Sequence, residues 1–501
     1  MLLHAHCAFC HDFVGQSEAS TMKSSAANAT FWAALETGGA QVFAFVIFVV
    51  FAHLLTPEEF GVCALATAIV CTVNLFLFQG FGDALIQVET LDDDYTSTVF
   101  WTNMMLAVGM IALLQIIALL GPTLFAEPMI GPVIAWLSLL CIPQAMVSVH
   151  SALARRALDL RVFAIRTIVG YLVGGAVGVV LALNGWGVWS LVASQLVQAV
   201  VIVLVMWRSS DWRPRFRFSV LAFRELLQFT KHFMAASMIS SCIDDFGSVL
   251  IGLSLDVTAV GYYALALRVM RAVITVTMMP LQMVMMPVLS RIANNRAELN
   301  AAYTNMVIMV STIWVPAVAG LGLLAPDLLP MVFGDHWQSS VAVLQAMCFA
   351  SVTMPLWAFS GQALSAIGRP DAFARLAYWQ LGLYCLVFPA ASHFGVFAVG
   401  WAWSALSAVM VPVALVILRQ SFGLDVTALL VKTARIGLAG AVMVGSLLLI
   451  KAVLPADLWL IAAEVVTGSL VYAAMLEGFC MPGHLARIVV MVRGAMPAAS
   501  S

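Results

Sequence analysis

From about residue 31 to residue 479 the chain alternates between long apolar runs and short polar breaks. A bilayer core is crossed by roughly 20 apolar residues in a helix, and runs of that length recur about 14 times. The pattern predicts spans at residues 31–55, 61–86, 97–120, 129–152, 163–183, 187–207, 229–253, 261–290, 303–325, 338–365, 373–392, 396–418, 432–452 and 457–479. Every connection is short. The longest, from Arg208 to Glu225, is too small to form a domain. The segment ahead of the first span lacks the charge, apolar run and cleavage site of a signal peptide. The expected fold class is therefore all-α, a polytopic membrane protein.

Composition sharpens this. Of 501 residues, 63% are hydrophobic and 10% charged, where a soluble domain is about a quarter charged. Lipid must be the main solvent. A net charge of −2 excludes a globally basic nucleic-acid binder, and nine scattered cysteines make no disulfide framework. The cations are strongly one-sided. Alternate loops and both tails hold 20 of the 23 Lys and Arg residues, including Arg155, Arg156, Arg161 and Arg166, then Arg208, Arg213, Arg215, Arg217, Arg224 and Lys231. The opposite loops hold Lys451, and Arg268 and Arg271 lie inside the eighth span. Positive loops stay inside, so both termini are expected in the cytoplasm.

The chain also repeats itself at a shift of about 200–210 residues, an internal symmetry common in transporters. Gly61-Val62-Cys63-Ala64-Leu65-Ala66 matches Gly261-Tyr262-Tyr263-Ala264-Leu265-Ala266. Phe163-Ala164-Ile165-Arg166 matches Phe373-Ala374-Arg375, and Gly187-Val188 matches Gly395-Val396. Two six-helix lobes related by a pseudo-twofold along the membrane normal follow, with two extra C-terminal helices. The expected organisation is a tail at 1–30, an N-lobe at 31–207, a basic cytoplasmic linker at 208–228, a C-lobe at 229–420, spans 13–14 within 421–479, and a tail at 480–501. Met22 stands as a second candidate start, which would make residues 1–21 an upstream extension. The basic linker reads as a headgroup-level anchor, or additionally as a collector of anionic substrate at the cytoplasmic entrance.

Arg268 and Arg271 are the leading site candidates. Three residues apart, they share one helix face, about 10 and 15 Å past Gly261 at the helical rise. A guanidinium at that depth costs a few kcal/mol unless it meets water or an anion, and it grips phosphate oxygens in a fork. The alternative is that Arg268 snorkels to the headgroups while Arg271 pairs with an internal acid. Asp244 and Asp245, near the middle of the seventh span, are candidates for that pairing or for ion coupling. Glu36 and Glu464 are weaker candidates of the same kind. Thr56-Pro57-Glu58-Glu59 reads as a capping box rather than a catalytic acidic pair, and Asp92-Asp93-Asp94 as a solvated turn and helix start. Cys7-Ala8-Phe9-Cys10-His11 matches a haem-attachment pattern, but on a tail expected in the cytoplasm. No metal, cofactor or catalytic residue is expected. Gly170, Gly174 and Gly178 permit close packing of the fifth span.

Several stretches together resemble a known family. They are Leu54-Leu55-Thr56-Pro57-Glu58-Glu59-Phe60-Gly61, Gly80-Phe81-Gly82-Asp83-Ala84-Leu85-Ile86-Gln87, Arg155-Arg156-Ala157-Leu158-Asp159-Leu160-Arg161, Gly185-Trp186-Gly187-Val188-Trp189-Ser190-Leu191-Val192, and Leu250-Ile251-Gly252 followed by Val260 through Arg268. This collinear set, from about Phe31 to Gly423, resembles the bacterial polysaccharide flippases of Wzx type. These form the polysaccharide transporter branch of the multidrug/oligosaccharidyl-lipid/polysaccharide (MOP) superfamily. The resemblance implies two lobes around a cavity that opens alternately to either side. It implies transport of undecaprenyl-diphosphate-linked oligosaccharide for exopolysaccharide, O-antigen or capsule, with membrane lipids, a polysaccharide polymerase and export machinery as partners. By analogy with the similar peptidoglycan-precursor flippase, Arg268 and Arg271 take the basic-cavity role and spans 13–14 flank the lipid tail. The alternatives are a cation-coupled multidrug antiporter of the same superfamily, relying on Asp244 or Asp245, and a membrane glycosyltransferase or polymerase.

Overall fold

A computed structural model describes residues 39–78, 85, 93–157, 159–220, 223, 247–453 and 458–483. Among the described residues there is no strand. In hydrocarbon no water bonds to the backbone, so a helix, which satisfies its own N–H and C=O groups, is the available spanning form. The first half holds α1 (Ala40–Leu54), α2 (Pro57–Phe78), α3 (Asp93–Leu124), α4 (Ile130–Leu137), α5 (Cys141–Arg156), α6 (Leu160–Leu183) and α7 (Val188–Ser209). The second holds α8 (Val257–Thr277), α9 (Met279–Arg291), α10 (Arg296–Phe333), α11 (Gln338–Ala350), the short α12 (Pro355–Ala358) and α13 (Ser360–Ala366), α14 (Pro370–Ser392), α15 (Val396–Phe422), α16 (Val426–Val453) and α17 (Leu458–Met475). Eight of the described helices, counting α4–α5 as one, are long and apolar enough to cross a membrane. Large apolar side chains point outward along them, among them Leu119 in α3, Leu204 in α7, Val416 in α15 and Leu449 in α16, as lipid contact requires.

The helices begin where the sequence supplies caps. Thr56 donates its backbone N–H to Glu59 Oε2 at 2.9 Å, and Thr56 Oγ1 accepts from the Glu59 N–H at 3.3 Å. This is the reciprocal capping box expected from Thr-x-x-Glu. Asp256 Oδ1 accepts from the Ala259 N–H at 2.7 Å to start α8. The eighth predicted span, 261–290, is two helices. It breaks at Met278, and Pro280 opens α9, since a proline fits the first turn of a helix but not its interior. The tenth, 338–365, is likewise a broken pair, Asp335–Phe349 and Ser351–Ala366, bent by 40°. The ninth, by contrast, runs on past its predicted end. α10 continues through Pro316, Pro326 and Pro330 to Phe333.

The helices group into two compact units. The first lies within Met1–Leu55, Val70–Thr123 and Pro128–Met238. In it α6 and α7 lie close, because a methyl group on Gly174 would fall 2.6 Å from Ser194 O. After α7 the chain from Ser210 to Ser219 is irregular and lies along the first turns of α3. Trp212 Nε1 donates to Thr96 Oγ1 at 3.1 Å, the Arg215 N–H to Ser97 Oγ at 3.2 Å and the Ser219 N–H to Thr98 Oγ1 at 3.0 Å. Arg215 pairs with Asp93 at 2.9 Å and Arg217 with Asp94 at 3.3 Å. Phe216 stacks on Trp101 at 4.9 Å while remaining 92% exposed. The basic linker is thus a strap whose cations are partly neutralised by the acidic helix start.

The second unit lies within Thr56–Ile69, Leu124–Glu127 and Ile239–Ser501. Here α16 and α17, the two helices beyond the duplication, are packed onto α10. Ile308, Val315, Ala319 and Leu323 interlock with Ile436, Ala439, Met443 and Leu447. The Tyr472 hydroxyl donates to Thr312 O at 2.9 Å.

Candidate functional site

α8 carries both leading candidates. Val257, Val260, Gly261, Tyr263, Leu265 and Met270 are buried, which fixes the rotation of the helix. Tyr263 packs edge-on against Phe388 of α14 at 6.3 Å. Arg268 and Arg271 are half-buried on this helix, about 16 and 21 Å along the axis from Val257 at 1.5 Å per residue. The Nε of Arg268 is itself shielded from solvent. Two guanidiniums are therefore held at membrane depth on one rigid element, one turn apart.

Their proposed acidic counterparts are not all on the same footing. Glu36, Asp244 and Asp245 lie outside the described residues. Glu464 is described and sits elsewhere, on α17, only 2% exposed. Its Oε2 is 4.0 Å from Lys451 Nζ. Lys451 pairs with Asp327 of α10 and donates to Leu323 O at 3.0 Å. A lysine expected in an outer loop is thus the last-turn cation of α16, turned inward between two carboxylates. Asp327 carried no signal in the sequence beyond being an acid close to the predicted end of a span. Three charges with a net charge of −1 so tie α10, α16 and α17 together. Among the described residues no group of His, Cys, Asp and Glu is arranged to hold a metal ion.

Two recesses add polar chemistry the spacing did not reveal. Between α14 and α15 a groove of about 500 Å³ is headed by Arg369 and Arg375. Both approach Asp371, at 4.0 and 3.2 Å, and the groove continues over Trp379, Pro412 and Val416. In the first unit, a crevice of about 410 Å³ among α5, α6 and α7 is lined by amides, hydroxyls and Arg166.

A bundle of long apolar helices, one of them carrying two arginines at membrane depth, defines a multi-pass membrane protein, and solved structures share its fold. The chain is similar to the lipid II flippase MurJ in an inward closed conformation, with a TM-score of 0.73, 12% identity, and coverage of 89% of this chain and 98% of that one. It is also similar to an inward-facing multidrug resistance MATE family transporter of the MOP superfamily, with a TM-score of 0.60, 16% identity, and coverage of 78% of this chain and 95% of that one. Sequence narrows the class. Residues 50–342 match the polysaccharide biosynthesis protein family, and the chain belongs to it. Among its relatives is the succinoglycan biosynthesis transport protein ExoT of Rhizobium meliloti, 25% identical over 350 residues, 70% of each chain.

Proposed function

We propose that this chain is a flippase that moves undecaprenyl-diphosphate-linked oligosaccharide across the bacterial inner membrane by alternating access, for exopolysaccharide, O-antigen or capsule synthesis. The observation that carries the reading is a polysaccharide-biosynthesis family match on a chain whose α8 sets two arginines one turn apart at membrane depth. The obstacle to flipping such a lipid is its charged diphosphate, since a bare ion in hydrocarbon costs many kcal/mol. Two guanidiniums on one helix face offer the oxygens forked, charge-assisted hydrogen bonds. The polyprenyl tail stays in lipid throughout. Asp244, Asp245 or Glu36 pairs with these cations when the site is empty or couples an ion to the cycle. The basic ends of α5 and α7 support a topology with both termini in the cytoplasm. A polymerase and export machinery take the product on the outer side.

The fold is shared with a multidrug transporter, but the family match favours a glycan over a drug. A glycosyltransferase or polymerase would need catalytic groups in a sizeable outer loop, and outside residues 79–92 and 210–256 the connections between the described helices are short. Deleting the gene should abolish polymer export, accumulate lipid-linked repeat units and leave drug susceptibility unchanged. Arg271→Ala, expressed in the deletion strain at the wild-type membrane level, should lower export at least tenfold. Full export from that variant would remove Arg271 from the mechanism. A deletion strain with intact polymer and new drug sensitivity would replace the glycan reading with the antiporter.

A further inference from the structure

We infer that the crevice among α5, α6 and α7 is a binding subsite for the sugar residues of the transported lipid, a neutral polyol, an inference that rests on the flippase reading above. Its chemistry selects the ligand class. The polar lining includes Gln144, Gln195, Gln198, Ser148, Ser151 and Arg166. No Asp or Glu is among the lining residues, so nothing there counters the charge of a cationic drug. A single guanidinium is present, and it is engaged. Arg166 Nη1 donates to Ser151 Oγ at 3.0 Å, and the group stacks over the Phe163 ring at 4.4 Å. A diphosphate needs more positive charge than that. Carboxamides that both donate and accept, alternating with hydroxyls, suit vicinal sugar hydroxyls, which do the same. Pro143, Val147 and Ile202 supply apolar surface for the C–H faces.

Placement supports the same ligand. Counting from the end of α5 that bears Arg155 and Arg156, Ser151 is about 8 Å deep and Gln144 about 18 Å at the helical rise. From the start of α6 Arg166 is about 9 Å deep, and from the end of α7 Gln198 is about 16 Å and Gln195 about 21 Å deep. The polar groups thus form a ladder from the basic membrane surface to mid-bilayer, which lies roughly 15 Å in. Among the described residues the amides of Gln144 and Gln198 make no hydrogen bond. Amides set at that depth with unspent bonding capacity need a water-filled or ligand-filled space. Gly170 and Gly174 hold the Gln198 stem against α6, since methyl groups there would come within 3.3 and 2.9 Å of its side-chain carbons. At about 410 Å³ the crevice falls in the size range of small-molecule sites.

The test pairs Gln144→Leu/Gln198→Leu with the amide-retaining Gln144→Asn/Gln198→Asn in cells whose polymer export depends on this chain. Each full-length protein is also purified into nanodiscs and titrated with undecaprenyl diphosphate carrying no sugar. The leucine variant should export at least tenfold less polymer and accumulate lipid-linked repeat units, while binding sugar-free undecaprenyl diphosphate within twofold of wild type. The asparagine variant should recover part of the export. Undiminished export in the leucine variant overturns the subsite. So does a parallel loss of undecaprenyl diphosphate binding, which would mark a structural role for the glutamines. The flippase reading fails separately, and visibly, if deleting the whole chain leaves export intact.

Discussion

Replacing Lys451 with Met removes the cation that lies between Asp327 and Glu464. Removing one partner of a buried pair costs about 3–5 kcal/mol, because the other charge is left uncompensated. Lys451 and Asp327 are 24% and 29% exposed, so water screens part of that loss and about 2–3 kcal/mol is expected. Lys451→Met/Asp327→Leu replaces both members of the pair with apolar side chains. Such exchanges are near neutral, so the double variant should recover most of the loss despite carrying two substitutions. Glu464→Gln should change stability by less than about 1 kcal/mol, since its attraction to Lys451 at 4.0 Å is offset by the cost of burying a second carboxylate. Unfolding of a membrane protein in detergent is commonly irreversible, so the readout is rank order rather than absolute free energy. Thermal midpoints of the full chain in one detergent, with the monodisperse fraction by gel filtration, should run wild type and Glu464→Gln highest, then the double variant, then Lys451→Met. If Lys451→Met melts with wild type, or the double variant melts with the single one, the cluster does not hold α16 and α17 to α10.

Two further outcomes follow from packing. A methyl group at Gly61 would fall 1.7 Å from Val257 O, so Gly61→Ala should destabilise by at least about 1–3 kcal/mol. Gly109→Ala meets nothing within 4 Å and should be neutral or slightly stabilising, as helical Gly→Ala changes are by up to about 1 kcal/mol; the same melts compare the two. Trp212→Ala should expose residues 210–220 to limited proteolysis, because Trp212 anchors the strap to Thr96 and to the cluster of Val99 and Phe100. Arg215→Ala should not, since its pair with Asp93 is 59% and 48% exposed and exposed pairs contribute about 0–1 kcal/mol.

The helices were legible because lipid imposes a length and a composition on anything that crosses it. The start of α2 was legible too, because a capping box is local: Thr56 and Glu59 are three residues apart. What depended on distant partners was not. Lys451 read as a loop cation because Asp327 is 124 residues away in the chain, and Pro326 and Pro330 made the end of α10 look like a break. The linker read as a headgroup-level anchor, with no sign of its docking on α3, because its partners, Asp93, Asp94, Ser97 and Thr98, belong to a helix start more than a hundred residues earlier. The crevice glutamines did leave a trace. Gln195 and Gln198 stand three apart in an otherwise apolar run, hence on one face, the spacing that drew attention to Arg268 and Arg271. Without a charge they carry no comparable signal.

The duplication has physical content at one crossing. The methyl group that Gly61 lacks would strike Val257 O, and the one Gly261 lacks would fall 2.1 Å from Pro57 O. Pro57 precedes Gly61 by four residues and Val257 precedes Gly261 by four. Each glycine therefore meets the residue one helical turn ahead of its counterpart, the reciprocal pattern of a local twofold. The caps obey the same 200-residue shift, Thr56 on α2 and Asp256 on α8. Carried along the helix, that register sets Arg268 and Arg271 against Ala68 and Cys71. The two helices share their start and their contact but not their charge. Sequence divergence has therefore placed the two arginines on one copy only. The uncharged amide ladder of α5 and α7 lies in the other half of the chain. A substrate with an anionic end and a neutral glycan calls for such a division, whereas a small cationic drug has no use for either half of it.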